Sequence, residues 1–192
     1  MIPVSELELS SMPGPNQIMG EWKTYLQFLQ KYCKKFRIKN PIVVEVGVKM
    51  GKQKQHYEKF LDAIHIGIDI EEKYSKPDIL GDSHNPDTVR KLKEVLNGRK
   101  INFLFLDGMH TYLDAIADYY AYGPMTKDVI AFHDIRHEKE IGRMWVDLQM
   151  ANTNATDKSF ISIGGVGNGW CELGIGVFVK RSKENLLGVI NG

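Results

Sequence analysis

Apolar residues recur at helical spacing from Glu21 to Phe36, where Trp22, Tyr25, Leu26, Phe28, Leu29, Tyr32 and Cys33 define one greasy face. Beyond Pro41 the rhythm changes to short β-branched or apolar runs separated by helical stretches. Ile42–Val46 reads as a buried parallel strand, Ile66–Ile70 as a second and Asp78–Leu80 as a short third. Ile101–Leu106 (INFLFL) is the most apolar strand, and Asp128–Phe132 is another. Helices are predicted over 51–63, 85–96 with a proline in the first turn, 111–122 and 138–150. Alternating strands and helices imply a doubly wound, mostly parallel sheet with helices on both faces, an α/β architecture. The rhythm breaks at the end. Strands over 158–163 and 173–180 are joined by Gly164 to Trp170, a link too short for a crossover helix, so the two pair antiparallel and the C-terminal strand is reversed. Residues 1–36 read as an arm and helix that can serve as a lid, and 37–192 as the main domain built on the sheet; residues 1–20 read either as an arm folded over the rest or as a frayed end.

The chain has 192 residues, enough for one core and no second catalytic domain. With 25 Lys and Arg against 24 Asp and Glu, its balanced charge disfavours nucleic acid or an anionic membrane as main partner. Cys33 and Cys171 lack CxxC spacing, so a disulfide framework or a cysteine-rich zinc site is not expected. No secretory leader or spanning segment is apparent, and the expected location is the cytoplasm.

In an open α/β sheet, ligands bind outside the carboxyl ends of the parallel strands. The residues just past each strand are Gly47 to Gly51, Asp69, Gly81 to Ser83, Asp107 to His110, and His133 with Asp134. Gly47 and Gly51 permit close backbone approach but lack the GxGxxG spacing of a dinucleotide site. Asp69 lies about twenty residues beyond the glycine loop, where a carboxylate either accepts ribose hydroxyls or serves as a helix N-cap. Asp82 and Ser83 either meet an adenine or cap the next helix.

Glu-x-Gly-x-x-x-Gly, Gly-x-Asp, Gly-Asp-Ser, Asp-Gly-x-His-x-Tyr and Phe-His-Asp, in that order over residues 40–180, resemble the class I S-adenosylmethionine-dependent methyltransferases. Within them the chain is similar to the small metal-dependent O-methyltransferases of the macrocin and sugar-tailoring type and the cephalosporin-hydroxylase-like group. The resemblance implies a seven-stranded sheet whose last strand is reversed beside the fifth. It implies that Glu45, Gly47 and Gly51 line the methionine half of the cofactor, that Asp69 holds the ribose, and that Asp82 and Ser83 meet the adenine. By the same resemblance Asp107, His133 and Asp134 hold a divalent metal.

All-oxygen ligation suits Mg, whereas an imidazole favours Mn, Fe or Zn; His133 can instead orient Asp134 from behind. His110, three residues beyond Asp107, stands where catechol-type relatives carry a lysine base, and is the candidate general base, a metal ligand or a helix cap. His137 competes with it, while His56, His65 and His84 read as structural. Gly164 to Trp170 is expected to form a flap on which Trp170 stacks a flat acceptor or packs on its own strands. The expected partner is a small-molecule hydroxyl (sugar, polyketide or phenolic), with a homodimer as one way to cap the site. A non-catalytic cofactor-binding module, a nicotinamide oxidoreductase and a hydroxylase-like activity are the competing readings.

Overall fold

The computed structural model describes residues 1–14, 17–164, 173–186 and 189. The anticipated flap, including Trp170, and Cys171 lie outside the described residues. In chain order the elements are α1 (Glu6–Ser10), α2 (Met19–Phe36), β1 (Ile42–Val46), α3 (Gln53–Leu61), β2 (Ile64–Asp69), β3 (Ile79–Leu80), α4 (Pro86–Leu96), β4 (Ile101–Leu106), α5 (Tyr112–Tyr122), β5 (Thr126–Phe132), α6 (Lys139–Ala151), β6 (Ser159–Ile163), β7 (Ile175–Val179) and α7 (Lys183–Leu186). The sheet has seven strands in the order β3-β2-β1-β4-β5-β7-β6. β1 to β5 run parallel, and β7 pairs antiparallel with both β5 and β6. The reversed strand therefore inserts between β5 and β6, as the resemblance implied.

Side-chain alternation along the strands divides the interior into two layers. Val43, Phe103, Phe105 and Val129 face α2 and α3, where Trp22, Tyr25, Tyr57 and Phe60 are buried. Val44, Leu104, Leu106 and Ile130 face α4, α5 and α6, with Leu92, Tyr122, Met144 and Trp145. α2 thus belongs to the same core as the sheet. Helix ends obey local chemistry. The Asn85 side chain accepts from Asp87 N–H before a proline-started α4, and Thr111 accepts from Asp114 N–H at the start of α5. Arg37, Asp62 and Asn97 close α2, α3 and α4 in the left-handed conformation.

The amino-terminal segment is docked. Its sequence carries a five-residue helix, α1, that the hydrophobic pattern did not disclose because only Leu9 of that helix is buried. Gln27 Nε2 donates to the Val4 carbonyl (3.0 Å), Gln30 Nε2 donates to the Ile2 carbonyl (2.6 Å), and Lys59 pairs with Glu8. Among the described residues, no helix is long and apolar enough to cross a membrane.

Leu9 is fully buried in the layer formed by α2 and α3. Leu9→Ala is expected to lower unfolding free energy by about 2–5 kcal/mol, as other buried leucine truncations do. Chemical denaturation checks this; a change below about 0.5 kcal/mol, the size of an ordinary surface substitution, would show that the segment is frayed in solution.

Candidate active site

Strand register builds the site. Val46 is level with Ile68 and Leu106, and Leu106 with Phe132. The next residue on each strand, Gly47, Asp69, Asp107 and His133, therefore falls in one row across β1, β2, β4 and β5. The ladder continues into this row: Gly47 N–H donates to Ile68 O (2.9 Å), Asp107 N–H to Val46 O (2.9 Å) and His133 N–H to Leu106 O (3.0 Å). A cavity of roughly 640 Å³ opens along it, in the size range of small-molecule sites.

At one end, Asp107, His110 and Asp134 each offer a ligand atom, all within 4.8 Å of one another. His133 is inserted between the two carboxylates. Its Nδ1 lies 3.0 Å from Asp107 Oδ1, with hydrogen-bond geometry, and 3.2 Å from Asp134 Oδ1, without it. A single N–H cannot satisfy both acceptors, and Asp134 Oδ1 is left buried without a hydrogen bond. His110 Nδ1 is 3.3 Å from Asp134 Oδ2 and its Nε2 3.6 Å from Asp107 Oδ1. His110 rather than His133 thus completes the open triad of possible ligand atoms, while His133, only 6% exposed, packs behind it. Asp134 adopts φ +59°, a left-handed conformation that aspartate tolerates better than most side chains and that is often concentrated at functional sites.

Electrostatics reflect this crowding. Burial opposes protonation of His133, but the hydrogen bond to Asp107 and the closeness of the Asp107 and Asp134 carboxylates outweigh it and push the imidazole up to about 9. The nearby Asp107 carboxylate likewise raises His110. Burial raises Asp107, yet His110, His133 and Gln17 together hold it below its ordinary value. Asp107 is thus held ionised in a partly closed volume beside two imidazoles whose protonated forms it favours.

Further along, Asp69 lines the cavity. Its Oδ2 accepts from Lys49 N–H (2.8 Å) and its Oδ1 from Glu71 N–H (3.1 Å), so it organises the glycine loop while retaining lone pairs for a ligand. Asp82 and Ser83 line the same wall; Asp82 Oδ1 accepts from His84 N–H (2.9 Å), and the Ser83 carbonyl accepts from Tyr122 Oη–H (2.6 Å). Gly47 lines it too, and a Cβ there would lie 2.1 Å from the Asp107 carbonyl oxygen. Glycine is required for the β1 and β4 loops to touch.

Two anticipated residues are not on the cavity wall. Glu45 is fully buried on the α2 and α3 side of β1, with Oε2 2.8 Å from His65 Nε2. Burial raises its pKa, while His65 pulls the other way. Gly51 sits at φ +64° against Ser75. Gln53 lines the cavity instead, as do Met109, His84 and His137. His56 and His65 are buried, His56 Nδ1 accepting the Trp22 indole N–H (2.8 Å).

No protein-family model matches the chain, and no curated protein sequence matches it. Solved structures do match. An O-methyltransferase from Bacillus cereus in complex with SAH superposes with a TM-score of 0.62 at 12% identity, over 90% of this chain and 86% of that one. The chain has the fold of these methyltransferases. A putative caffeoyl-CoA O-methyltransferase from Staphylococcus aureus gives 0.57 at 12% identity, over 90% of this chain and 88% of that one. MycE, the methyltransferase of the mycinamycin biosynthetic pathway, in complex with Mg and SAH, gives 0.55 at 12% identity; it covers 88% of this chain, which spans 56% of MycE.

Two outcomes test this geometry. Gly47→Ala should shift the Asp107 loop and lower the unfolding midpoint, because the added methyl meets backbone that cannot rotate away; an unchanged midpoint in differential scanning calorimetry contradicts the packing. The second concerns Asp118, which is 2% exposed. Burial pushes its carboxyl up to about 6, with Ser83 and His84 opposing. A raised acid binds its proton more tightly folded than unfolded, so ionisation costs stability above pH 6 and the cost fades as pH falls towards 4. Asp118→Asn should therefore stabilise by up to about 3 kcal/mol at pH 7.5, two pKa units' worth, and by much less at pH 4.5. A pH-independent difference contradicts the assignment.

Proposed function

We propose that this chain transfers a methyl group from S-adenosylmethionine to a hydroxyl of a small molecule, with a divalent cation held at Asp107 and Asp134. The observation that carries this reading is the row of strand-end residues, in which a pair of carboxylates with two imidazoles adjoins a cavity also walled by Asp69, Asp82 and Ser83. The match to methyltransferase folds is the second support. Under this reading the orphaned Asp134 Oδ1 gains its partner from the cation. The two carboxylates suit Mg or Mn, with Fe and Zn also compatible, and His110 stays off the cation so that its lone pair can serve the acceptor.

When bound, the sulfonium donor supplies an electrophilic methyl group, and the cation lowers the pKa of the acceptor hydroxyl. The chain's residues do the rest. Asp69, Asp82 and Ser83 hold the nucleoside end, and Gly47 lets the backbone approach the donor. Glu45 is buried next to that loop in the chain and pairs with His65, while Gln53 offers a polar side chain from the first turn of α3. His110 Nε2 or Nδ1, 43% exposed at the side chain, takes the acceptor proton as the oxygen–carbon bond forms and the sulfur–carbon bond breaks. His133 keeps the two carboxylates in place. Met109, 67% exposed beside His110, supplies an apolar lip for an acceptor with a sugar, polyketide or phenolic skeleton.

The lid role of residues 1–36, a homodimer and cytoplasmic location belong to this proposal. Calorimetry with S-adenosylhomocysteine should show binding that Asp69→Ala weakens at least tenfold; heat of binding absent in the wild type removes the proposal. Because the imidazoles must give up protons, affinity for Mn²⁺ should climb as pH is raised from 6 towards 9. Affinity flat across that range would exclude displacement of His133 or His110 protons. Replacement of the candidate base, His110→Ala, should lower kcat by about 10²–10⁴-fold with little effect on S-adenosylhomocysteine binding; undiminished turnover would assign the proton to another group.

A further inference from the structure

The amino-terminal segment reaches the strand-end row. Gln17, 8% exposed, donates from Nε2 to Asp107 Oδ2 at 2.8 Å, across ninety positions of sequence. The segment before it is held down independently, by Leu9 in the core, by Gln27 and Gln30 on its backbone, and by the Glu6–Lys23 and Glu8–Lys59 pairs. Gln17 itself stands two residues before the start of α2, from which it reaches Asp107.

The orientation of that carboxamide is set by chemistry. An ionised carboxylate only accepts hydrogen bonds, so the amide nitrogen must face Asp107 and Gln17 Oε1 must point away. Oε1 is buried and has no hydrogen-bond partner among the described residues, which leaves it open to a donor carried by a ligand. The two Asp107 oxygens are consequently divided: Oδ2 faces Gln17, whereas Oδ1 faces His133 at 3.0 Å and His110 at 3.6 Å.

We infer that Gln17 is a positioning residue of the Asp107–Asp134 centre, which by occupying Asp107 Oδ2 fixes the rotation of that carboxylate and leaves Oδ1 as the oxygen presented to a divalent cation. The inference rests on the metal part of the proposed function. It makes the amino-terminal segment part of the site as well as its proposed cover. Carboxylates that ligate metals are commonly held from behind in this way, and loss of such a partner typically costs 10- to 100-fold in metal affinity.

The test is a Mn²⁺ titration of the full chain, without cofactor or acceptor, monitored by electron paramagnetic resonance. Gln17→Met keeps the side-chain length and removes the donor; Gln17→Ala removes it without bulk, should methionine overfill the space. Both variants should bind Mn²⁺ 10- to 100-fold more weakly and show an altered bound-Mn²⁺ line shape, because a freed Oδ2 changes how the carboxylate meets the ion. Thermal midpoints are read alongside to exclude loss of the folded state. Wild-type affinity and an unchanged spectrum in both variants overturn the role of Gln17 while leaving the metal reading intact. Failure of the wild-type chain to bind Mn²⁺ overturns the metal reading itself, and the inference with it.

Discussion

Two carboxylates at the ends of adjacent parallel strands repel each other, and the site depends on how that repulsion is contained. Asp107 directly succeeds β4 and stands level with His133, which directly succeeds β5; Asp134 follows in the left-handed conformation, with a carboxylate oxygen within 4.8 Å of one of Asp107's. The buried His133 lies between them and His110 bridges their outer side. Without positive charge in that volume, desolvation would drive one carboxyl to hold its proton. With it, Asp107 is held below its ordinary value in spite of its burial.

The rest of the architecture serves this confinement. The two apolar layers fix the strands, and the strands fix the row; Gly47 lets the β1 loop lie directly on the carbonyl of Asp107. Asp118, buried behind Gly108, faces His84 at 3.3 Å and ties the loop after β3 to α5. The wall formed by Asp69, Asp82 and Ser83 and the wall formed by the charged cluster are therefore parts of one packed unit. At the opposite edge of the sheet, Asp128 accepts from Asn102 and Tyr32 and pairs with Arg181, a buried polar network remote from the cavity that pins β4, β5 and α2 together.

Much of this was legible in the chain. The apolar runs at Ile42–Val46 and Ile101–Leu106 give both strands to the residue, since a fully buried parallel strand leaves little room for polar side chains. The rule that chemistry gathers at strand ends then finds Asp69, Asp107, His133 and Asp134. What escaped has physical causes. Glu45 shares the β1 face of Val43, so alternation buries it among Tyr25 and Tyr57 rather than on the cavity wall. The choice between His110 and His133 depends on the left-handed turn at Asp134, which no spacing encodes. Gln17 belongs to a segment whose path is set by tertiary contacts with Gln27, Gln30 and Lys59, and a lone glutamine among Pro, Gly and Ser carries no pattern.

The central claim is that one cation and one sulfonium donor share the row of strand ends. A crystal grown with S-adenosylhomocysteine and a manganese salt, with data collected at the manganese edge, tests it most directly. The account predicts an anomalous peak between the Asp107 and Asp134 carboxylates and a ribose bound at Asp69. A peak elsewhere on the chain, or a ribose bound away from Asp69, would contradict it.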